Sequence, residues 1–213
     1  MTKLPRELRD LIYQHLSTRD SELIEREHFR ATLDPVTKLY SYDHARWKAS
    51  HFPEHFWDPQ YIGSVFFREL VENYYRTSTF VFNDDPGVMK RFLETDEMGL
   101  GVLPRDLVCN VEVHLSAVGR DRGSFGGYMF GVRREPERLQ EVLDGVFELK
   151  EGTSVCIQFL TGMKTEEEIN EPCGDLIRGL ISSVQRARLA GYKVKLVVDK
   201  EREISLRAEN PEE

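Results

Sequence analysis

The chain has 213 residues, of which 40% are apolar, and a formal net charge of −8. That apolar content is enough for a packed core and excludes a disordered chain. The acidic balance, with a pI near 5.4, argues against a general binder of nucleic acid or anionic membrane. No run of 18 apolar residues occurs, and MTKLPREL carries no apolar signal core ahead of its charges. Cys109, Cys156 and Cys173 are scattered and form no CxxC pair. Reduced thiols in the cytoplasm or nucleus are therefore expected.

The first element is LPRELRDLIYQHL, residues 4–16. Leu4, Leu8, Leu11, Ile12 and Leu16 recur at spacings of three and four, which predicts a helix with one apolar stripe. Pro5 suits its first position, where a missing N–H costs little. Residues 19–60 are rich in His, Tyr and charge and are broken by Pro35, Pro53 and Pro59. They read as irregular, with a hint of strand at Leu39, Tyr40 and Tyr42.

A second helix is expected from Ile62 to Arg76, with Val65, Phe66, Leu70, Val71 and Tyr74 inward. The pattern then becomes an alternation of strand and helix. TFVF (79–82) is rich in β-formers, and Asp85-Pro86 opens a helix to about Thr95 with Val88, Met89, Phe92 and Leu93 inward. Strand 108–116 precedes helix 136–149, whose stripe is Leu139, Val142, Leu143, Val146 and Phe147. Strand 154–161 precedes a possible capping box, Thr165 with Glu168, and helix 174–190. That helix carries Leu176, Ile177, Leu180, Ile181 and Val184 and stops at Gly191. Strand 192–199 comes last.

Alternation of this kind favours parallel pairing, because each return crosses over through a helix. The strand centres, near Val81, Val113, Ile157 and Leu196, lie roughly 30–45 residues apart, a loose repeat. Within the strands, Val111, Val113 and Leu115 alternate with Glu112 and His114, and Val194, Leu196 and Val198 with Lys193 and Lys195. One face is apolar and one partly polar, so helices are expected on one face only. The fold class is therefore α/β: a small N-terminal helical module (1–60), a body of about four βα units (61–205) and an acidic tail (206–213). The sheet is expected to be mainly parallel and leucine-rich-repeat-like, its other face either wet or a binding surface.

Signals for catalysis are poor. No GxSxG, HExxH, GxxxxGK[ST] or GxGxxG motif occurs. Cys109 and Cys156 fall inside predicted strands, where a buried inert thiol is the ordinary case. Cys173, in EPCGD, has no histidine near it in sequence to support a nucleophile. Pro53 separates His51 from His55, so His44, His51, His55 and Asp58 do not make a helical pair of metal ligands, and no metal or cofactor is expected. The stretch VGRDRGSFGGYMFGVRRE (118–135) follows a strand and precedes a helix, where open α/β sheets place ligands. Gly126 and Gly127 would admit backbone amides to a phosphate, and Arg120, Arg122 and Arg133 would add charge. Its spacing matches no phosphate loop, and an ordinary surface loop is the competing reading. The basic run from Arg186 to Arg202 reads as a solvated face.

LPRELRDLIYQHL resembles the first helix of F-box and F-box-like domains, in the form LPxELRxxIY common in fungal proteins. FFRELVENYYRTSTFVFNDD (66–85) is similar to a segment recurring in uncharacterised fungal proteins of that group, where it links the N-terminal module to a β/α body. The resemblance implies a three-helix module, its second helix over Ser21–Phe29 and its third over DHARWKASHF (43–52) with Trp47. It implies that Leu4, Pro5, Leu8, Leu11, Ile12 and Leu16 contact a Skp-type adaptor of a cullin ubiquitin ligase, while the body recruits an unknown protein substrate. A non-enzymatic interaction protein is expected on that basis. In the alternatives, loop 118–135 serves a phosphate-binding protein or enzyme, or the open sheet face self-associates while the first helix packs as core on helix 62–76.

Overall fold

The computed structural model describes residues 4–24, 32–33, 40–41, 52, 55–119, 132–133, 136–161, 174–199 and 202–203. In chain order the elements are α1 (Arg6–Ser17), β1 (Glu22–Ile24), β2 (Thr32–Leu33), β3 (Tyr40–Ser41), α2 (Pro59–Ile62), α3 (Ser64–Thr77), β4 (Thr79–Asn83) and α4 (Pro86–Glu94). They continue with β5 (Asn110–Ser116), β6 (Val118–Gly119), β7 (Val132–Arg133), α5 (Pro136–Asp144), β8 (Ser154–Leu160), α6 (Gly174–Leu189), β9 (Lys193–Val198) and β10 (Arg202–Glu203).

The main sheet runs β1-β4-β5-β8-β9-β10. The first five strands are parallel, and β10 pairs antiparallel at the far edge. Two short antiparallel pairs, β2 with β3 and β6 with β7, stand outside it. Parallel strands laid down in chain order, joined by crossovers of one hand, place every crossover helix on the same face. Along the covered face Ile24, Phe82, Val113, Ile157 and Leu196 stand in register across five strands. Each of them is at most 2% exposed. The helix stripes read from sequence meet this row. Met89, Phe92, Leu93, Leu139, Val142, Leu143, Leu176, Leu180 and Val184 are all buried. At the β4 end the core is aromatic, with Tyr75 and Phe92 both packed on Phe80.

The turn chemistry follows the sequence. Asp85 caps α4, its side chain accepting from the Gly87 N–H at 3.3 Å. Gly191 takes φ +93° just past α6, in the left-handed region that favours glycine.

Four expectations need correcting. Residues 22–24 form the edge strand β1 and not the start of a second module helix, because their backbone groups pair with Phe80–Phe82 of β4. The first sixty residues therefore contribute a strand to the sheet of the body. Val65 is 63% exposed rather than inward, since α3 turns Phe67, Leu70, Val71 and Tyr74 to the core. Pro5 is the N-cap of α1, one residue before the first helical position. Cys109 and Cys156 are half-buried, because Cys109 precedes β5 and Cys156 stands on the side of β8 opposite the described helices. Helix 43–52 and the capping box at 165–168 lie outside the described residues, apart from Phe52, which is buried against Trp57.

Candidate interaction surface

Helix α1 carries two stripes on one cylinder. Leu4, Leu8, Leu11, Ile12 and Leu16 make the apolar one, and Arg6, Arg9, Tyr13 and Ser17 make a polar one at the same three-and-four spacing. At 3.6 residues per turn the two are centred roughly 140° apart. The polar stripe is the one that faces the body. It lies on α3, where Glu69 and Asn73, one turn apart, form the matching row.

Glu69 is the hub. The Arg9 guanidinium forks onto it, Nε donating to Oε2 at 2.9 Å and Nη2 to Oε1 at 2.8 Å. Arg6 Nη1 donates to Oε1 at 3.1 Å, and the Tyr13 hydroxyl donates to Oε2 at 3.0 Å. Arg6 also pairs with Asp10 at 2.8 Å and reaches Glu72 at 3.6 Å. The Glu69 side chain is only 10% exposed. A carboxylate so placed stays charged because donors replace its lost water. The Arg9 hydrogen bond lowers the Glu69 pKa, outweighing the opposing effect of burial, with Tyr13 and Arg6 adding to it. The Tyr13 hydroxyl is pushed up to about 12, first by burial and then by its bond to Glu69.

Below the hub the contacts continue as a zipper. The Ser17 hydroxyl lies 2.7 Å from the Tyr13 carbonyl and 3.2 Å from Asn73 Oδ1. Thr18 donates to the Thr77 hydroxyl at 2.8 Å, and the Arg19 N–H to the Ser78 hydroxyl at 2.9 Å. The Thr79 N–H donates to the Arg19 carbonyl at 3.0 Å, and the β1–β4 ladder follows three residues on. The two consecutive helix–strand units, α1–β1 and α3–β4, are thus joined along their length.

This docking leaves the apolar stripe outside. Leu4 is 37% exposed, Leu8 48%, Leu11 62%, Ile12 39% and Leu16 37%. Pro5 is also exposed. The expectation that α1 packs as core holds in one respect only, since it does sit on α3. It sits there through its polar side. The residues that hold it were not singled out from sequence, although RELVEN (68–73) places Glu69 and Asn73 at helical spacing opposite the Arg6/Arg9/Tyr13/Ser17 row.

The other candidate residues are less informative. Arg120, Arg122, Gly126 and Gly127 lie outside the described residues, and Arg133 is described only as the backbone partner of Val118. His44, His51 and Cys173 also lie outside them. Asp58 caps α2 through the Gln60 N–H at 2.8 Å, so its carboxylate is occupied. Among the described residues no group of three or more His, Cys, Asp or Glu side chains is arranged to hold a metal. The face of β5 and β8 opposite the described helices carries a small polar cluster in which Gln158 donates to Glu112, and His114 Nε2 lies within hydrogen-bonding distance of the same carboxylate. No described helix is long and apolar enough to cross a membrane. No family model, no curated protein and no solved structure matches the chain.

Proposed function

We propose that the chain is a non-enzymatic interaction protein of F-box-like character, in which the exposed stripe of α1 docks a Skp-type adaptor of a cullin ubiquitin ligase. One observation supports the reading above the rest. Five large apolar side chains share the outward face of a helix that is anchored by its opposite face. A helix held only by its apolar side would have nothing left to offer a partner. An aliphatic stripe kept in water on a fixed helix is what helix-in-groove recognition uses.

Fully burying such a side chain contributes about 1.5–3 kcal/mol. With roughly half of each already covered, the five together supply about 5 kcal/mol, short of the ~8 kcal/mol of a micromolar complex. The adaptor therefore also touches residues beyond the stripe. Because Glu22–Ile24 is a strand, α1 docks as a single helix on the sheet domain and not as part of a three-helix module. The βα body, read as leucine-rich-repeat-like with the sheet face opposite its helices as the recognition surface, is on this proposal the platform for a protein substrate.

The test is a binding titration of the purified chain against a recombinant fungal Skp-type adaptor, repeated with the Leu8→Asp/Ile12→Asp double variant. The reading expects saturable binding that the double variant loses while keeping the parent melting temperature. Absence of binding by the parent chain contradicts it. So does unfolding of the double variant, which would make the stripe core.

A further inference from the structure

The hydrogen-bonding edge of β4 is covered by the chain's own N-terminal elements. β1 pairs with Phe80–Phe82, and the Thr79 N–H donates to the Arg19 carbonyl at 3.0 Å. Phe80, Val81 and Phe82 are at most 3% exposed. An apolar strand edge of this kind, left bare, is a ready template for pairing with another chain. Among the described residues β1 has β4 as its one strand neighbour.

β1 has little hold of its own. It is three residues long, Leu23 is 43% exposed, and Ile24 is its one buried side chain. α1 adds little apolar burial, since the buried side chains of residues 4–24 are Tyr13, Ser17 and Ile24. The strongest hold on this whole unit is the Glu69 carboxylate, through Arg6, Arg9 and Tyr13. Between α1 and β1 the chain crosses the α3–β4 corner, where Thr18 donates to Thr77 and the Arg19 N–H to Ser78. These corner bonds belong to neither element alone and are lost when either lifts. Segments joined by a continuous row of shared bonds, with few buried apolar groups, open together below the global unfolding free energy.

We infer that α1 and β1 form one latched strap over the sheet edge, which opens and closes as a unit with Glu69 as its latch. Opening bares the edge of β4. The inward side of α1 does this whether or not its outward stripe docks a partner.

The experiment is residue-level amide exchange by NMR, in urea below the unfolding transition. In the parent chain, residues 9–17, residues 22–24 and Thr79 should share one opening equilibrium with one urea slope, and Val113 and Ile157 should exchange more slowly. Glu69→Ala should quicken all three strap regions about 100-fold, although the bonds it loses are all to α1. Ile24→Ala, at the other end, should quicken residues 9–17 by the same factor as residues 22–24. Faster exchange in residues 9–17 with residues 22–24 and Thr79 unchanged overturns the strap. So does equal quickening at Val113 and Ile157, which makes the opening global. Unchanged exchange throughout Glu69→Ala overturns the latch. Should neither variant fold, different urea slopes for residues 9–17 and 22–24 in the parent overturn the unit.

Discussion

Replacing Glu69 with alanine isolates the anchor of α1. The substitution removes the acceptor of four hydrogen bonds, two from Arg9 and one each from Arg6 and Tyr13. Tyr13 is 5% exposed and is left with a buried hydroxyl, a loss of about 1–3 kcal/mol by itself. The charge-assisted bonds add to this, since they are roughly twice as strong as neutral ones. A combined cost of about 3 kcal/mol follows, and it falls on the α1–α3 joint, because no core side chain of the sheet is touched. At 1.4 kcal/mol per decade, amide exchange along residues 9–17 should quicken about 100-fold, while Val113 and Ile157 in the central strands keep their protection. Hydrogen–deuterium exchange with peptide-level mass spectrometry reads both regions in one experiment. Unchanged protection of α1 would refute the assignment of its anchorage to this cluster.

Three further outcomes follow from the same geometry. Because Arg9 and its fellow donors lower the Glu69 carboxyl below 4.5, their stabilisation is complete above that pH and is lost as pH falls through the lowered value. Exchange protection of α1 should therefore be level from pH 5 to 8 and decline below about pH 4. Leu11→Ala, at 62% exposure, should shift stability by less than about 0.5 kcal/mol, whereas Leu196→Ala, at 1% exposure, should cost about 2–5 kcal/mol in urea titration. Gly191→Ala forces a side chain into φ +93° and brings its Cβ to 2.8 Å from the Glu151 side chain, so about 1–2 kcal/mol and 2–8 °C of melting temperature should be lost.

The body was legible because each of its signals is local and strong. Strands of alternating polarity such as NVEVHLS, stripes such as Leu139/Val142/Leu143/Val146, and the Asp85-Pro86 and Gly191 boundaries are complete within a dozen residues. The edge strand β1 was not legible. Three residues within a charged stretch carry no usable period, and only pairing with Phe80–Phe82 makes them a strand. Val65 was misread because a helical stripe defines a face only to within about one residue, and α3 is rotated so that Phe67 takes the inward position.

The candidate surface was half legible. Hydrophobic period identified the leucines of α1, but the same period fits burial and exposure equally. What decides between them is Glu69, some sixty residues away, whose attraction for Arg6, Arg9 and Tyr13 turns the polar side inward. A polar hub of this kind has no period of its own. It becomes visible only when two helices are set side by side and the donors on one are matched to the acceptors on the other.

The orientation of α1 is open to direct measurement by covalent carbene footprinting of the native chain, read by fragmentation at residue level. Labelling should be heavy at Leu8, Leu11 and Ile12 and slight at Tyr13, with Leu196 as the protected reference. Heavy labelling of Tyr13 together with protection of the leucines would contradict the account.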